Sequence, residues 1–185
     1  MDASALLDAL RLEVPEAAVE LAPSGDAQMA LFISSAHVRQ VAQLLRDRPE
    51  WRFSLLVELT AVDYWPREPR FEVIYLLVSI EHRARLRLKA RVPGEHPSLS
   101  TVTGVWPAAG WLEREVWDLF GIVFDGHPDP RRLLMPEDWE GYPLRKDYPV
   151  QINVPVRTSE PTQVSEAEFR ANLERDRLVR RGERQ

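Results

Sequence analysis

From Arg85 to Val92 every second residue is apolar, with Leu86, Leu88, Ala90 and Val92 alternating with Arg85, Arg87, Lys89 and Arg91. A strand, whose side chains point to opposite faces with a period of two, sorts that pattern into one dry face and one charged face. A helix would scatter both sets around its circumference. The chain must therefore build a sheet that buries at least one face. The four positive charges read first as a solvated antiparallel strand, because exposed strand faces are ordinarily polar, and second as a docking surface. Just upstream, Phe71–Ile80 is β-rich and apolar on both faces, the pattern of a central strand covered on two sides.

The elements around this pair follow from local signals. Leu6, Leu7 and Leu10 predict a short helix that ends before Pro15, since proline lacks the N–H a helix interior needs. The turn Pro23-Ser24-Gly25-Asp26 separates the apolar runs 17–21 and 29–33 and predicts a hairpin. Ser34 or Ser35 is placed to cap a helix carrying Val38, Val41, Leu44 and Leu45, which Pro49 stops. Phe53–Tyr64 alternates at Phe53, Leu55, Val57 and Leu59 but also suits a helical turn; its second half is assigned to strand. Together these give an α+β fold, a mixed sheet of about five strands with the Val38–Leu45 helix packed on one face.

A chain of 185 residues, 44% hydrophobic, fits one globular domain with an extension. A net charge of -5 argues against a nucleic-acid backbone as partner. The absence of cysteine excludes thiolate-held iron–sulfur clusters, zinc-thiolate sites and disulfides. No basic segment followed by an apolar core opens the chain and no apolar run approaches a membrane span, so a cytoplasmic location is expected. No Gly-rich turn or Walker loop suggests flavin, nicotinamide or nucleotide binding.

Between Pro97 and Leu112 no residue is charged, so this loop is covered, either by its own core or by another protein. From Asp125 onward the texture changes, with seven prolines and few periodic runs. A globular domain over residues 1–124 and an extended arm over 125–185 are expected, the arm having too few apolar positions to form its own core. A terminal helix is predicted near its end, with Ser165 and Glu168 as a capping box and Phe169 and Leu173 one turn apart.

Residues 109–121 carry the densest chemistry. They predict a helix stopped by Gly121, with Leu112, Val116, Leu119 and Phe120 as its core stripe. Arg114, Glu115 and Asp118 lie opposite with Trp111 alongside, while Glu113 and Trp117 flank the other edge. An indole among charges on a face away from the core is an interface pattern. Glu115 and Asp118 are spaced for acid–base work, but ion pairing of Arg114 with Asp118 explains the same residues without chemistry. His127, before Pro128, has no second ligand at metal spacing, and a histidine in such a turn commonly bonds backbone. Downstream, residues 137–149 alternate charge, aromatic and proline, a strip suited either to lie along a partner or to wrap its own domain.

The run Glu113-Arg114-Glu115, Asp118-Leu119-Phe120, His127, Arg131, Leu133-Leu134 resembles the signature of the 30 kDa family of respiratory complex I, its C subunit. The segment Pro143-Leu144-Arg145-Lys146-Asp147-Tyr148-Pro149 resembles the same family's second hallmark, and the likeness spans about residues 50 to 150. Gly110 and Tyr142 stand where asparagine and histidine are more usual. The resemblance implies a non-catalytic member of the peripheral arm of proton-translocating NADH:quinone oxidoreductase. Its implied partners are the quinone-site D subunit, the B subunit that bears the terminal Fe-S cluster, and the ferredoxin-like I subunit. It further implies that FMN and Fe-S clusters reside on those and other subunits, and a peripheral place on the cytoplasmic side of the cell inner membrane. The signature residues expected at interfaces are Trp111, Glu113, Arg114, Glu115, Asp118, Gly121, His127, Pro128, Arg131, Arg132 and Pro143–Pro149. Charges buried there would find their partners in Arg131, Arg132 and Arg145. Other readings are a homologous member of a membrane-bound hydrogenase or formate hydrogenlyase type complex, a hydrolase in which Glu115, Asp118 and His127 converge, and a stand-alone binding module.

Overall fold

A computed structural model describes residues 3–26 and 28–149, together with 165, 167 and 169–171. The chain opens with α1 (Ala3–Glu13), which ends where Pro15 starts a short 3-10 turn, and Leu6, Leu7 and Leu10 point into the core. Strands β1 (Glu20–Leu21) and β2 (Met29–Ile33) pair antiparallel, with Glu20 opposite Phe32. In α2 (Val38–Asp47) the buried side chains are Val38, Val41, Ala42 and Leu45, the i, i+3, i+4, i+7 set of one helix face. No serine caps it. The chain enters through a 3-10 turn, Ser35–His37, in which the His37 N–H bonds the Ser34 carbonyl, so backbone replaces the expected hydroxyl.

Three nine-residue strands follow, β3 (Leu55–Asp63), β4 (Phe71–Ser79) and β5 (Ala84–Val92). The sheet order is β1-β2-β5-β4-β3. The charged strand β5 is thus the middle strand, antiparallel to β4 and parallel to β2. Strict alternation reports that one face is wet; it does not report where in the sheet the strand lies. On the dry face Leu86, Leu88, Ala90 and Val92 join Phe71, Val73, Tyr75 and Leu77 of β4 in one core with all three helices. Each fully buried leucine or phenylalanine there contributes about 1.5–3 kcal/mol of transfer free energy.

The uncharged loop is covered by the chain itself. Val102, Val105, Trp106 and Ala109 are buried, and the Trp106 indole N–H donates to the Phe53 carbonyl at 3.0 Å. It contains β6 (Ser98–Ser100), which pairs parallel with β7 (Val123–Asp125). Between them α3 (Ala109–Phe120) packs against β3. It ends as predicted at Gly121, whose φ of 71° is the left-handed conformation that glycine adopts without strain.

Residues 125–149 fold back along α3, and Met1–Pro149 forms one compact unit. The expected start of the arm at 125 therefore does not coincide with the end of that unit. The reason is chemical: two buried carboxylates, described below, draw this stretch onto the domain. Of the expected terminal helix, residues 167 and 169–171 are helical and the Phe169 N–H bonds the Ser165 carbonyl at 2.9 Å. Glu168 and Leu173 lie outside the described side chains.

A Cβ placed on Gly121 would overlap the Tyr142 ring and come within 2.6 Å of the Arg145 guanidinium. Gly121→Ala is therefore expected to destabilise the unit by about 1–3 kcal/mol, from left-handed strain plus displacement of the arm. Thermal unfolding of the variant measures it.

Candidate functional site

The polar side of α3 is not a solvated face. Glu113 and Asp118 are both 0% exposed, while Leu112 and Leu119, expected in the core stripe, are only partly buried. Helical periodicity assigned the two carboxylates to wet or flanking positions. The arm covering Asp118 and the loop after β6 covering Glu113 reverse that assignment.

Asp118 anchors the arm. One carboxylate oxygen accepts the N–H groups of Leu133 (3.0 Å), Leu134 (2.7 Å) and Met135 (2.9 Å), and the other accepts the Arg132 guanidinium at 2.8 Å. Burial alone would raise its pKa, but the Met135 N–H, the Arg132 guanidinium and the Leu134 and Leu133 N–H groups hold it below the usual carboxylate value. Arg132 also donates to the Trp139 carbonyl at 2.8 Å. The partner expected for Asp118 within the helix, Arg114, is engaged elsewhere. Its guanidinium donates to the carbonyls of Arg131 (3.1 Å) and Arg132 (3.0 Å), pairs with Asp129 at 3.3 Å, and lies over the Trp111 ring. Of the three arginines expected to hold buried charge, Arg132 does so, while Arg131 is exposed beside Asp129.

Glu113 turns the other way, into the loop after β6. It accepts the Thr101 hydroxyl at 2.6 Å and the Val102 N–H at 2.7 Å. Burial raises its pKa, and the two hydrogen bonds and the His127 ring offset only part of that rise. His127 Nε2 bonds the Gly110 carbonyl at 3.0 Å while Nδ1 accepts the Asp129 N–H at 3.0 Å, so the neutral ring carries its proton on Nε2. The backbone-bonding reading of this histidine is the one observed. Since the Thr101 hydroxyl can accept as well as donate, Glu113→Gln is expected to keep stability within about 1 kcal/mol of the parent, the amide oxygen meeting the Val102 N–H and the NH2 donating to Thr101. Glu113→Ala leaves the Val102 N–H and Thr101 hydroxyl unmet and is expected to cost about 1–3 kcal/mol, read from urea midpoints.

The second hallmark is held by another buried acid. Asp63, 3% exposed at the end of β3, receives Arg70 through both oxygens (3.0 and 2.8 Å), the Trp65 N–H (2.9 Å) and the Lys146 N–H (2.9 Å). Arg70 bridges on to Asp147 at 2.9 and 2.6 Å. Burial would raise the Asp63 pKa, but the Arg70 side chain and the Lys146 and Trp65 N–H groups pull it down to about 2. Arg145 donates to the Phe120 carbonyl at 2.6 Å and lies over the rings of Tyr142 and Phe71. Burial, then the neighbouring Arg70, lowers its pKa. Leu144 N–H bonds the Leu119 carbonyl at 3.1 Å, and the Tyr148 hydroxyl donates to the Glu140 carbonyl at 3.1 Å. Sequence reading missed Asp63 and Arg70. The available signal was an aspartate ending an otherwise apolar strand.

Other signature positions face solvent within this unit. Trp111 is 63% exposed, Leu144 is 50% exposed, and Pro128, Lys146 and Pro149 are exposed, with Pro143 half-buried. Glu115 is half-buried and has no ion pair or hydrogen bond among the described residues. The small cleft beside α3, about 40 Å³, is lined by Glu113, Arg114, Trp117 and His127 but by neither Glu115 nor Asp118. The three groups a hydrolase would need do not converge. Among the described residues no cluster of three or more His, Asp or Glu could hold a metal ion, and no helix is long and apolar enough to cross a membrane.

What the arrangement does is pin two chain segments, 131–135 and 144–147, to a sheet and a helix through buried, fully bonded carboxylates. It defines a structural clasp. The sequence places that clasp in a family: residues 31–154 match the respiratory-chain NADH dehydrogenase 30 kDa subunit, and the chain belongs to that family. It is 47% identical over 148 residues to the NADH-quinone oxidoreductase C subunit of Roseiflexus sp. (strain RS-1), covering 80% of this chain and 84% of that one. It is 53% identical over 120 residues to the corresponding C subunit of Geotalea uraniireducens (strain Rf4), covering 65% and 72%. Among solved structures it resembles a trypsin-resistant fragment (1-134) of Nqo5, with a TM-score of 0.56 and 32% identity over 67% of this chain and 98% of that one. It also resembles a chain of a membrane-bound sulfane sulfur reductase, an archaeal respiratory membrane complex, with a TM-score of 0.66 and 26% identity over 80% and 85%.

Proposed function

We propose that this chain is the non-catalytic structural subunit of the peripheral arm of proton-translocating NADH:quinone oxidoreductase, organising its neighbours around the quinone site. The observation that carries this reading is the use made of its signature residues. Asp118, Arg132, Glu113 and Asp63 spend their hydrogen-bonding capacity on the chain's own backbone and on one another. Catalytic groups are aimed into a pocket; these are aimed into the fold. Substrate and cofactor chemistry belongs to other subunits in this reading, with FMN and Fe-S clusters held there. The lack of cysteine fits that division. The quinone-site, cluster-bearing and ferredoxin-like subunits are the proposed neighbours, and association with the cytoplasmic side of the inner membrane is through the complex.

Affinity purification of the tagged chain from native membranes tests the reading. The quinone-site and cluster-bearing subunits should co-purify in stoichiometric amounts with NADH:quinone reductase activity, while the separately purified chain has neither that activity nor visible absorbance. Recovery of the chain without them would refute it. The likeness to the sulfane sulfur reductase chain favours one second reading, a homologous member of a membrane-bound hydrogenase or formate hydrogenlyase type complex. The same purification distinguishes the two by whether a hydrogenase-type large subunit replaces the quinone-site one.

A further inference from the structure

The five-stranded sheet has two faces, and the described residues cover only one. Helices α1, α2 and α3 all pack on the side of Leu86, Leu88, Phe71 and Tyr75. On the other side, β4 presents Ile74, Leu76 and Val78, which are half-buried, and β3 presents Leu55 and the bulged Val57, which are 43% and 52% exposed, followed by Glu58 beside Leu76 and Thr60 beside Ile74. Solvated faces of antiparallel sheets are normally polar. This one carries an apolar row along β4 that widens to two strands, about 10 Å at ordinary strand spacing, at the Leu55 and Val57 end.

Alongside the strip runs the basic row of β5. The register sets Arg85 beside Val78, Arg87 beside Leu76, Lys89 beside Ile74 and Arg91 beside Glu72. The two inner bases are paired within the chain, Arg87 with Asp26 at 3.0 Å and Lys89 with Glu72 at 2.9 Å. The two outer ones have no ion pair among the described residues, the Glu72 beside Arg91 being taken by Lys89; Arg91 rests on the Phe32 ring, and Arg85 is exposed. Arg85 and Arg91 are six residues apart, about 20 Å along a strand. A hollow lies at each end, one of about 150 Å³ lined by Val57, Leu76, Val78 and Arg85 and one of about 400 Å³ lined by Tyr64, Glu72, Lys89 and Arg91.

We infer that this face is a docking surface for one amphipathic helix of a neighbouring subunit, lying along β3 and β4 with a carboxylate near each end facing Arg85 and Arg91. The inference rests on the functional reading above. An α-helix is about 10–12 Å wide, so one helix covers the β4 row together with the Leu55 and Val57 end of β3, and it spans 20 Å in about 13 residues. Layered α/β architectures close a free sheet face with helices in this way. Charge complementarity selects the occupant. In a two-fold pair through this face, a second copy would bring its own basic row against that of this chain. Its own last residues, with Arg175, Arg177, Arg180, Arg181 and Arg184, would set like charges against the row.

The test uses the full chain in the purified complex, with the photoreactive amino acid p-benzoylphenylalanine replacing Leu76 or Val57 in turn. The composition of the complex is checked before irradiation. Both probes should then give one adduct with the same neighbouring subunit, mapped by peptide mass spectrometry to an apolar helix bearing acidic residues. The combined change Arg85→Glu and Arg91→Glu should lower adduct yield several-fold while the thermal unfolding of the isolated chain stays unchanged. An intact complex giving no adduct, an adduct with residues 150–185, or one with a second copy of this chain overturns the inference and leaves the functional reading standing. A chain that purifies without its complex sinks both.

Discussion

Replacing Asp118 with alanine is expected to lower the unfolding free energy by about 3–5 kcal/mol, the largest single effect in the chain, because Arg132 is then a half-buried cation without its anion and three N–H groups lose their acceptor. Asparagine keeps the shape and one acceptor oxygen but brings an amide toward a guanidinium, so it should recover less than half of the loss. Urea unfolding followed by tryptophan fluorescence gives the magnitude. Limited proteolysis identifies the mechanism, since residues 125–149 should become cleavable before the sheet does. A variant with parental stability and parental resistance in that stretch would refute the clasp. The acid dependence has a definite sign. The folded pKa of Asp118 is depressed, so its contribution is full above the unfolded value of about 3.9 and is lost as pH falls through the folded value.

Arg70→Ala is expected to cost about 3 kcal/mol or more, since Asp63 would remain a buried carboxylate held only by two N–H groups. The exposed side of the network contributes less: Asp147 is 44% exposed on its side chain, so Asp147→Asn should cost under about 1 kcal/mol. Asp63, with a folded pKa near 2, supplies about 2–3 kcal/mol that is present above pH 4 and disappears as pH falls toward 2. Unfolding curves between pH 7 and pH 2.5 should therefore fall steeply for the parent and flatten for Asp63→Asn. Identical acid limbs in the two would show that Asp63 is not the group titrating.

Local periodicity made the elements legible and left their arrangement open. Gly121 marked the end of α3 because its signal is a property of one residue's backbone. The alternation of 85–92 announced a strand, yet its place between β2 and β4 depends on a parallel pairing with residues more than fifty positions earlier. Glu113 and Asp118 were misjudged for a related reason. A helical wheel knows only the helix, and these carboxylates are buried by a segment that reaches them from positions 131–135 and by the loop at 101–102. Asp63 carried no mark at all, since its partners lie at 70 and 146. The resemblance to the 30 kDa family pointed at a set that includes Glu113, Asp118 and Arg132, and the wheel gave the two carboxylates the wrong surroundings.

The clasp also sets when this protein can exist during its synthesis. A nascent chain that has emerged through Phe124 already contains the whole sheet and all three helices of the compact unit. It holds Asp118, whose site in the fold has no counter-charge or donors until residues 132–135 arrive, while Asp63 already has Arg70 and the Trp65 N–H and gains the Lys146 N–H only later. Completion is thus reported at the far end of the unit, after the ribosome has delivered some twenty further residues. A chain cut after Phe124, by a protease or a premature stop, is left with an unsatisfied anion at Asp118 and not with a finished small domain. Such fragments would be open to degradation before they could occupy a place in a large assembly, which gives the cell a built-in check that only copies extending past residue 147 are offered for incorporation.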